Sequence, residues 1–244
     1  MSRTISSVKS DYDNFVFQFG RKEALASKDI IWDGAGTQTY LGWLSAENFL
    51  SVVSDSADDK VGSGGATAII IKGQGSDGKE KEITIPLNGT TVVNSDDTST
   101  EKFECAYEGR IASSEDLGWL NGPNHGTITV YEKGQPTHIL MKILPAKGHT
   151  FMAMRRIPSD KYAELLSLEV YPVSGKEVVY EVHMRESKTS PWRVYGVGDF
   201  DTTNLTYKFA LPKFMPPGAD IIIVAIPSAS ANVSANFELE LLDL

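Results

Sequence analysis

Apolar and polar residues alternate with a period of two through much of this chain, and that period predicts β-strands. In KEVVYEVHMRE, Val178, Tyr180, Val182 and Met184 fall on one face while Glu181, His183 and Arg185 take the other, as in a half-buried antiparallel strand. NVSANFELELL repeats the pattern, with Val233, Ala235, Phe237, Leu239 and Leu241 inward and Ser234, Asn236, Glu238 and Glu240 outward. Shorter β-branched runs bounded by Gly, Asp, Asn, Ser or Pro predict further strands: FLSVVS (49–54), TAIIIKG (67–73), KEITIPL (81–87), GTITVY (126–131) and THILMKIL (137–144). ADIIIVAI (219–226) is apolar at successive positions, which predicts a central or interfacial strand covered on both sides by another sheet or a subunit. Helical periodicity is weak; TYLGWLSAENFL (39–50) has enough for a turn or two, and SSEDLGWL (113–120) for one.

The punctuation agrees with an all-β chain. Asn88-Gly89 is the preferred pair of a type I′ hairpin, and Asp77-Gly78 and Ser174-Gly175 are further turn candidates. Many strands without intervening helices predict an antiparallel β-sandwich or jelly-roll-like architecture with little helix. Gly and Pro in EKGQP (132–136) place a boundary between two β modules, 27–133 and 134–244. Residues 1–26 hold the alternating FVFQF, which reads either as a first strand of the home domain, the reading favoured, or as an arm for a neighbour's sheet edge.

Composition narrows the function. Of 244 residues 41% are hydrophobic, enough for a real core, and the formal charge of -9 argues against nucleic-acid binding, which needs clustered Lys and Arg. No run approaches the length of a membrane-spanning helix, and MSRTISSVKSDYDN lacks the apolar core of a signal peptide, so synthesis in a cytoplasm and no membrane partner are expected. Cys105 is the single cysteine, which leaves no intrachain disulfide and points to a small buried thiol.

Candidate chemistry is sparse. VGSGGAT lacks the Lys-Ser/Thr pair and helix of a phosphate loop and reads as a flexible turn. SDSADD (54–59) does not match a calcium loop; Asp55, Asp58 and Asp59 read as solvated turn acids. His125, His138, His149 and His183 fit no metal or catalytic spacing, so no catalytic residue, metal or cofactor is expected. Trp32, Trp43, Trp119 and Trp192 each lie close to Gly, Ser or Pro, where an indole packs a loop, anchors an interface or stacks on a sugar; with Phe15, Phe17 and Phe19 they are the recognition or interface candidates.

FLSVVSDSADDKVGSGGATAIIIKGQGSDGKEKEITIPLNGTTVV resembles a recurrent block in uncharacterised virion structural proteins of tailed bacteriophages, and GHTFMAMRRIPSDKYAELLSLEV and NFELELL are similar to later strands of that family. The resemblance covers about residues 30–244 and rests on turns and strands. It departs at Pro158-Ser159-Asp160-Lys161, where the family's turn reads Pro-Ala-Gly-Lys and its Gly frees a positive φ. It implies a non-enzymatic capsid decoration, head-fibre or tail-associated component of the virion. Such a component is expected to act as a homo-oligomer, with a trimer favoured, and to dock on the major capsid or another virion protein. A host-surface glycan is the further partner expected of the tryptophan loops.

Overall fold

The computed structural model describes residues 14–32, 43–112, 122–172, 176–200 and 205–244. Among them the only helical element is a 3-10 turn at Ser95–Asp97, and seventeen strands form four antiparallel sheets.

Two sheets make a first sandwich. One orders β10 (Ile139–Ile143), β9 (Ile128–Glu132), β4 (Leu50–Ser54) and β7 (Val93–Asn94); the other orders β3 (Trp43–Asn48), β8 (Phe103–Ile111), β5 (Ala68–Gln74) and β6 (Glu80–Pro86). Between them lies a core that includes Leu50, Ile69, Ile71, Ile85, Phe103, Tyr107, Ile128 and Leu140, all fully buried. Burial of so much β-branched and aromatic surface, at about 25 cal/mol per Å², is the main term holding the sheets together.

A second sandwich pairs the sheet β1 (Phe15–Leu25), β17 (Ala231–Asp243), β12 (Lys161–Pro172), β15 (Leu205–Met215) with the sheet β11 (Met154–Arg156), β16 (Asp220–Pro227), β13 (Val178–Arg185), β14 (Arg193–Phe200), to which β2 (Asp29–Ile30) adds along β16. The period-two faces read from the sequence are realised: Val178, Tyr180, Val182 and Met184 on β13 and Val233, Ala235, Phe237, Leu239 and Leu241 on β17 are buried in this second core. β16 is covered on both faces. Ile221, Ile223 and Ala225 pack into the second core, while Ile222 and Val224 join the first core beside Trp32, Met152 and Met154. The chain itself supplies the cover on both sides, so the two sandwiches share this strand's sheet as a common layer.

Three expectations are corrected. The boundary expected at 132–136 is a hairpin: Gln135 N–H donates to the Glu132 carbonyl, Gly134 has φ +81°, and β9 pairs β10 across it. The first sandwich therefore runs from Trp43 to Ile143, and β2 with β1 belongs to the second. Asn88-Gly89 does not close a hairpin. β6 pairs β5 and β7 pairs β4, so the turn carries the chain from one sheet to the other. Gly89, at φ +60°, is wedged against the 55–60 loop, donating to the Asp59 carbonyl and accepting from Ser54 N–H. The helical turn expected in 39–50 is absent from its described part, where β3 and β4 form, because Ser45 and Asn48 bond to the buried Glu132 instead. Asp77-Gly78 does form a turn, in the β5–β6 hairpin with Gly78 at φ +69°. Ser174-Gly175 and the 113–120 segment lie outside the described residues. At Asp160 no positive φ is needed, since the described non-glycine residues with one are Ala24 and Ala146.

FVFQF is a strand of its own chain. β1 pairs β17 from Phe15↔Glu240 to Leu25↔Ala231, and its even positions turn inward, where Gln18 donates to the Met152 carbonyl at 2.7 Å.

Candidate functional site

The tryptophans divide. Trp32 is 0% exposed and Trp43 7%, so both belong to the first core and neither presents a ring to a ligand. Trp192 is half-buried and packs edge-on against Trp43, ring centroids 5.6 Å apart. Trp119 lies outside the described residues.

Around Trp43 the strands assemble a buried polar joint between the sandwiches. The Asp220 carboxylate, fully buried at the start of β16, meets Arg156 Nε at 3.0 Å and Arg185 Nε at 2.5 Å, and accepts from the Trp43 indole at 3.2 Å. The Arg185 guanidinium sits 5.1 Å from the Trp43 ring and 4.7 Å from that of Trp192, close enough for cation–π attraction. Burial pushes the Asp220 carboxyl above its usual range, against the pull of both arginines. All of its donors come from the chain, so the joint's chemistry is spent on holding layers together.

The same holds for other acids, of which Glu80 is exposed and Glu132 and Asp59 are buried. Glu80 ties Arg155 at 2.5 Å to the Tyr107 hydroxyl at 2.7 Å. At Glu132 burial works to raise the carboxyl. Bonds from Ser45, Asn48 and His138 outweigh it and hold the group below the usual carboxylate range. Asp59 accepts from Ser54 Oγ at 2.5 Å, Ala66 N–H at 3.0 Å, His125 N–H at 2.8 Å and Gly126 N–H at 2.9 Å. It is not the solvated turn acid that the sequence suggests; it is fully buried and binds its own neighbouring segment to the distant 125–126 loop. Cys105 is buried on β8, and burial pushes its thiol up to about 12.

Phe15, Phe17 and Phe19 share the outward face of β1. Phe15 is 50% and Phe17 60% exposed, while Phe19 is half-buried against Phe151 with ring centroids 5.4 Å apart. They form one wall of a cleft between the sandwiches, made of adjoining hollows of about 490 and 580 Å³ that share Phe17 and Glu108. The opposite wall offers Lys72, Glu108, Arg110 and His149, whose imidazole burial pulls below its usual pKa while Glu108 works against the shift.

A second feature escaped the sequence reading. β14 and β15 are the outer strands of the second sandwich on one side, and there Val194, Tyr195, Val197 and Phe214 are exposed. Tyr195 and Val197 border an apolar groove of about 310 Å³ that reaches Leu165, Leu168 and Val182 of the core, and Phe214 lines the hollow beside it. The signal available in the sequence is the uncharged run VYGVG between Arg193 and Asp199.

Among the described residues no helix is long and apolar enough to cross a membrane, and no group of three or more His, Cys, Asp or Glu is placed to hold a metal ion.

No family model and no curated protein matches the chain. Among solved structures it is similar to the carbohydrate-binding module TmCBM61 in complex with β-1,4-galactotriose, at 9% identity and TM-score 0.21, over 49% of this chain and 64% of that one, just under two thirds of its length. It is also similar to infectious bursal disease virus, Gx strain, at 9% identity and TM-score 0.29, and to the VP2 subviral particle of the same virus at 12% and 0.27, each over 93% of this chain and 71% of the other. The fold class of the chain, an all-β antiparallel sandwich, stands on the strand pairing itself.

Proposed function

We propose that this chain is a non-enzymatic virion structural protein, a capsid decoration or head-fibre component of a tailed bacteriophage that assembles as an oligomer on the particle surface. The observation that carries this is where most of the exposed large apolar side chains lie: Phe15 and Phe17 on the outer strand β1, and Val194, Tyr195, Val197 and Phe214 on the outer strands β14 and β15. Solvated sheet edges are ordinarily guarded by charge, and apolar side chains gathered there suit burial against other chains. The sequence resemblance to tailed-phage virion proteins supplies the setting. The protein is expected among the components of purified particles, and its absence from them removes the proposal.

A second reading, host-glycan binding, is favoured by the cleft under Phe15, Phe17 and Phe19, where aromatic rings face hydrogen-bonding side chains as in sugar sites. It moves recognition away from Trp32 and Trp43. Glycan-array binding by the purified protein that falls at least about tenfold in Phe17→Ala, the loss of about 1.4 kcal/mol, supports it; no binding to any glycan discards it.

A further inference from the structure

Other outer strands in this molecule carry charge. β6 presents Glu80, Lys81 and Glu82 and ends at Pro86, and the far half of β1 carries Arg21 and Glu23. The β14/β15 side is different: Val194 is 50%, Tyr195 53%, Val197 63% and Phe214 60% exposed. Gly196 and Gly198 pair with Val182 and Tyr180, on the core side of β14, and a Cβ at Gly198 would lie 2.2 Å from the Tyr180 ring. At Gly198 the Tyr180 ring takes that space, whereas Gly196 lines the 310 Å³ groove with no side chain to fill it. A neighbouring hollow of about 300 Å³ continues it along the edge, sharing Met184 and Tyr195.

The ends of this apolar mouth differ in charge. Exposed Lys213 lines the first hollow and exposed Glu186 the second, with Tyr195 common to both. The ladder to β13 slips at Tyr195, from Val182↔Gly196 to His183↔Val194. A bulge of this kind bends an outer strand and spoils it as a template for an added strand. An extended peptide is therefore a poor occupant, and side-chain packing is the better mode.

We infer that this edge binds a second copy of the chain about a two-fold axis near Tyr195. A two-fold contact must be self-complementary. Here the axis lays the Lys213 end of one copy on the Glu186 end of the other, twice, and buries Tyr195, Val197 and Phe214 between the open grooves. The contact covers on the order of 400 Å² per copy, from a few half-exposed side chains. That is about half of the ~800 Å² per partner of a standard interface. The pairing is accordingly weak and reversible, in the micromolar range, and it is two-fold where the sequence favoured a trimer. It deepens the assembly reading by naming a second copy as the partner of this edge, and rests on that reading only to that extent.

Sedimentation velocity of the full chain across a concentration series tests it. The wild-type protein is expected to pass reversibly from monomer to dimer at tens of micromolar. Tyr195→Asp, with an unchanged circular dichroism spectrum, is expected to stay monomeric. Lys213→Glu and Glu186→Lys each create two like-charge contacts and weaken the dimer about 3- to 10-fold, scaled to exposed ion pairs; combined in one chain they restore opposite charges and recover wild-type affinity to within about twofold on the same scale. A monomer at every concentration, a dimer indifferent to Tyr195→Asp, or a double charge variant weaker than both single ones overturns the inference. Particles that lack the protein would remove the virion reading without touching this dimer, and a strictly monomeric chain found in particles would do the reverse.

Discussion

Asp59 shows what the glycine cluster at 61–65 is for. Its carboxylate takes one hydroxyl and three backbone N–H groups, and a Cβ at Gly65 would lie 2.4 Å from its Oδ1 and 2.7 Å from the Asp58 carbonyl. The glycine is needed for close approach to a buried acid rather than for holding a phosphate. Asp59→Ala orphans four donors, so a loss of about 3 kcal/mol is expected, each buried unsatisfied group costing ~1–3 kcal/mol and the terms not adding fully. Gly65→Ala is expected to cost about 2 kcal/mol by overpacking. Urea denaturation of both variants checks this, and a change within experimental error in either removes the role given to that residue. The sequence shows three acids in SDSADD and cannot rank them, because what buries Asp59 is the 122–126 loop, more than sixty positions away. The same distance hides Asp220, whose partners Trp43, Arg156 and Arg185 come from three separate strands.

Strands were legible where one residue in two had to be apolar, and their partners were not. Alternation on β13 and β17 gave the apolar face, since a one-residue slip would turn the whole apolar set to water, although Ser234 and Asn236, expected outward, are buried as well. Turn chemistry was a poorer guide. Asn88-Gly89 has the composition of a hairpin, yet the chain there changes sheets, because β6 is already an outer strand paired to β5 and the next residues complete the β4 edge. Likewise EKGQP looks like a linker and is the β9–β10 turn. The continuous apolar run of β16 was the most informative element, and it leads to a test. Ile222 and Ile223 face different cores, so Ile222→Ala and Ile223→Ala are each expected to cost about 2–5 kcal/mol in urea denaturation. A strand with one solvated face would tolerate one of the two, and that outcome contradicts the shared layer.

At the scale of the whole molecule, two sandwiches share a layer, and polar contacts join them across it. Asp220, paired with Arg156 and Arg185 of its own sheet, reaches the first sandwich through the Trp43 indole, and Arg155 of the second sandwich meets Glu80 of the first, which also accepts from the Tyr107 hydroxyl. Apolar exposure is concentrated instead on outer strands, at β1 and along β14 and β15. That division is what an assembly component requires: a stiff body made by internal pairing, and edges left for other chains. The sequence carried the outward aromatics of β1 openly, as FVFQF. It concealed the β14/β15 edge, because an uncharged strand reads the same whether it lies in the centre of a sheet or at its margin. The central claim is that the chain is built into a virion. Quantitative mass spectrometry of particles purified through a density gradient tests it most directly: the account predicts the protein at many copies per particle, retained after washing in moderate salt, whereas its absence, or a trace level falling with each wash, would contradict it.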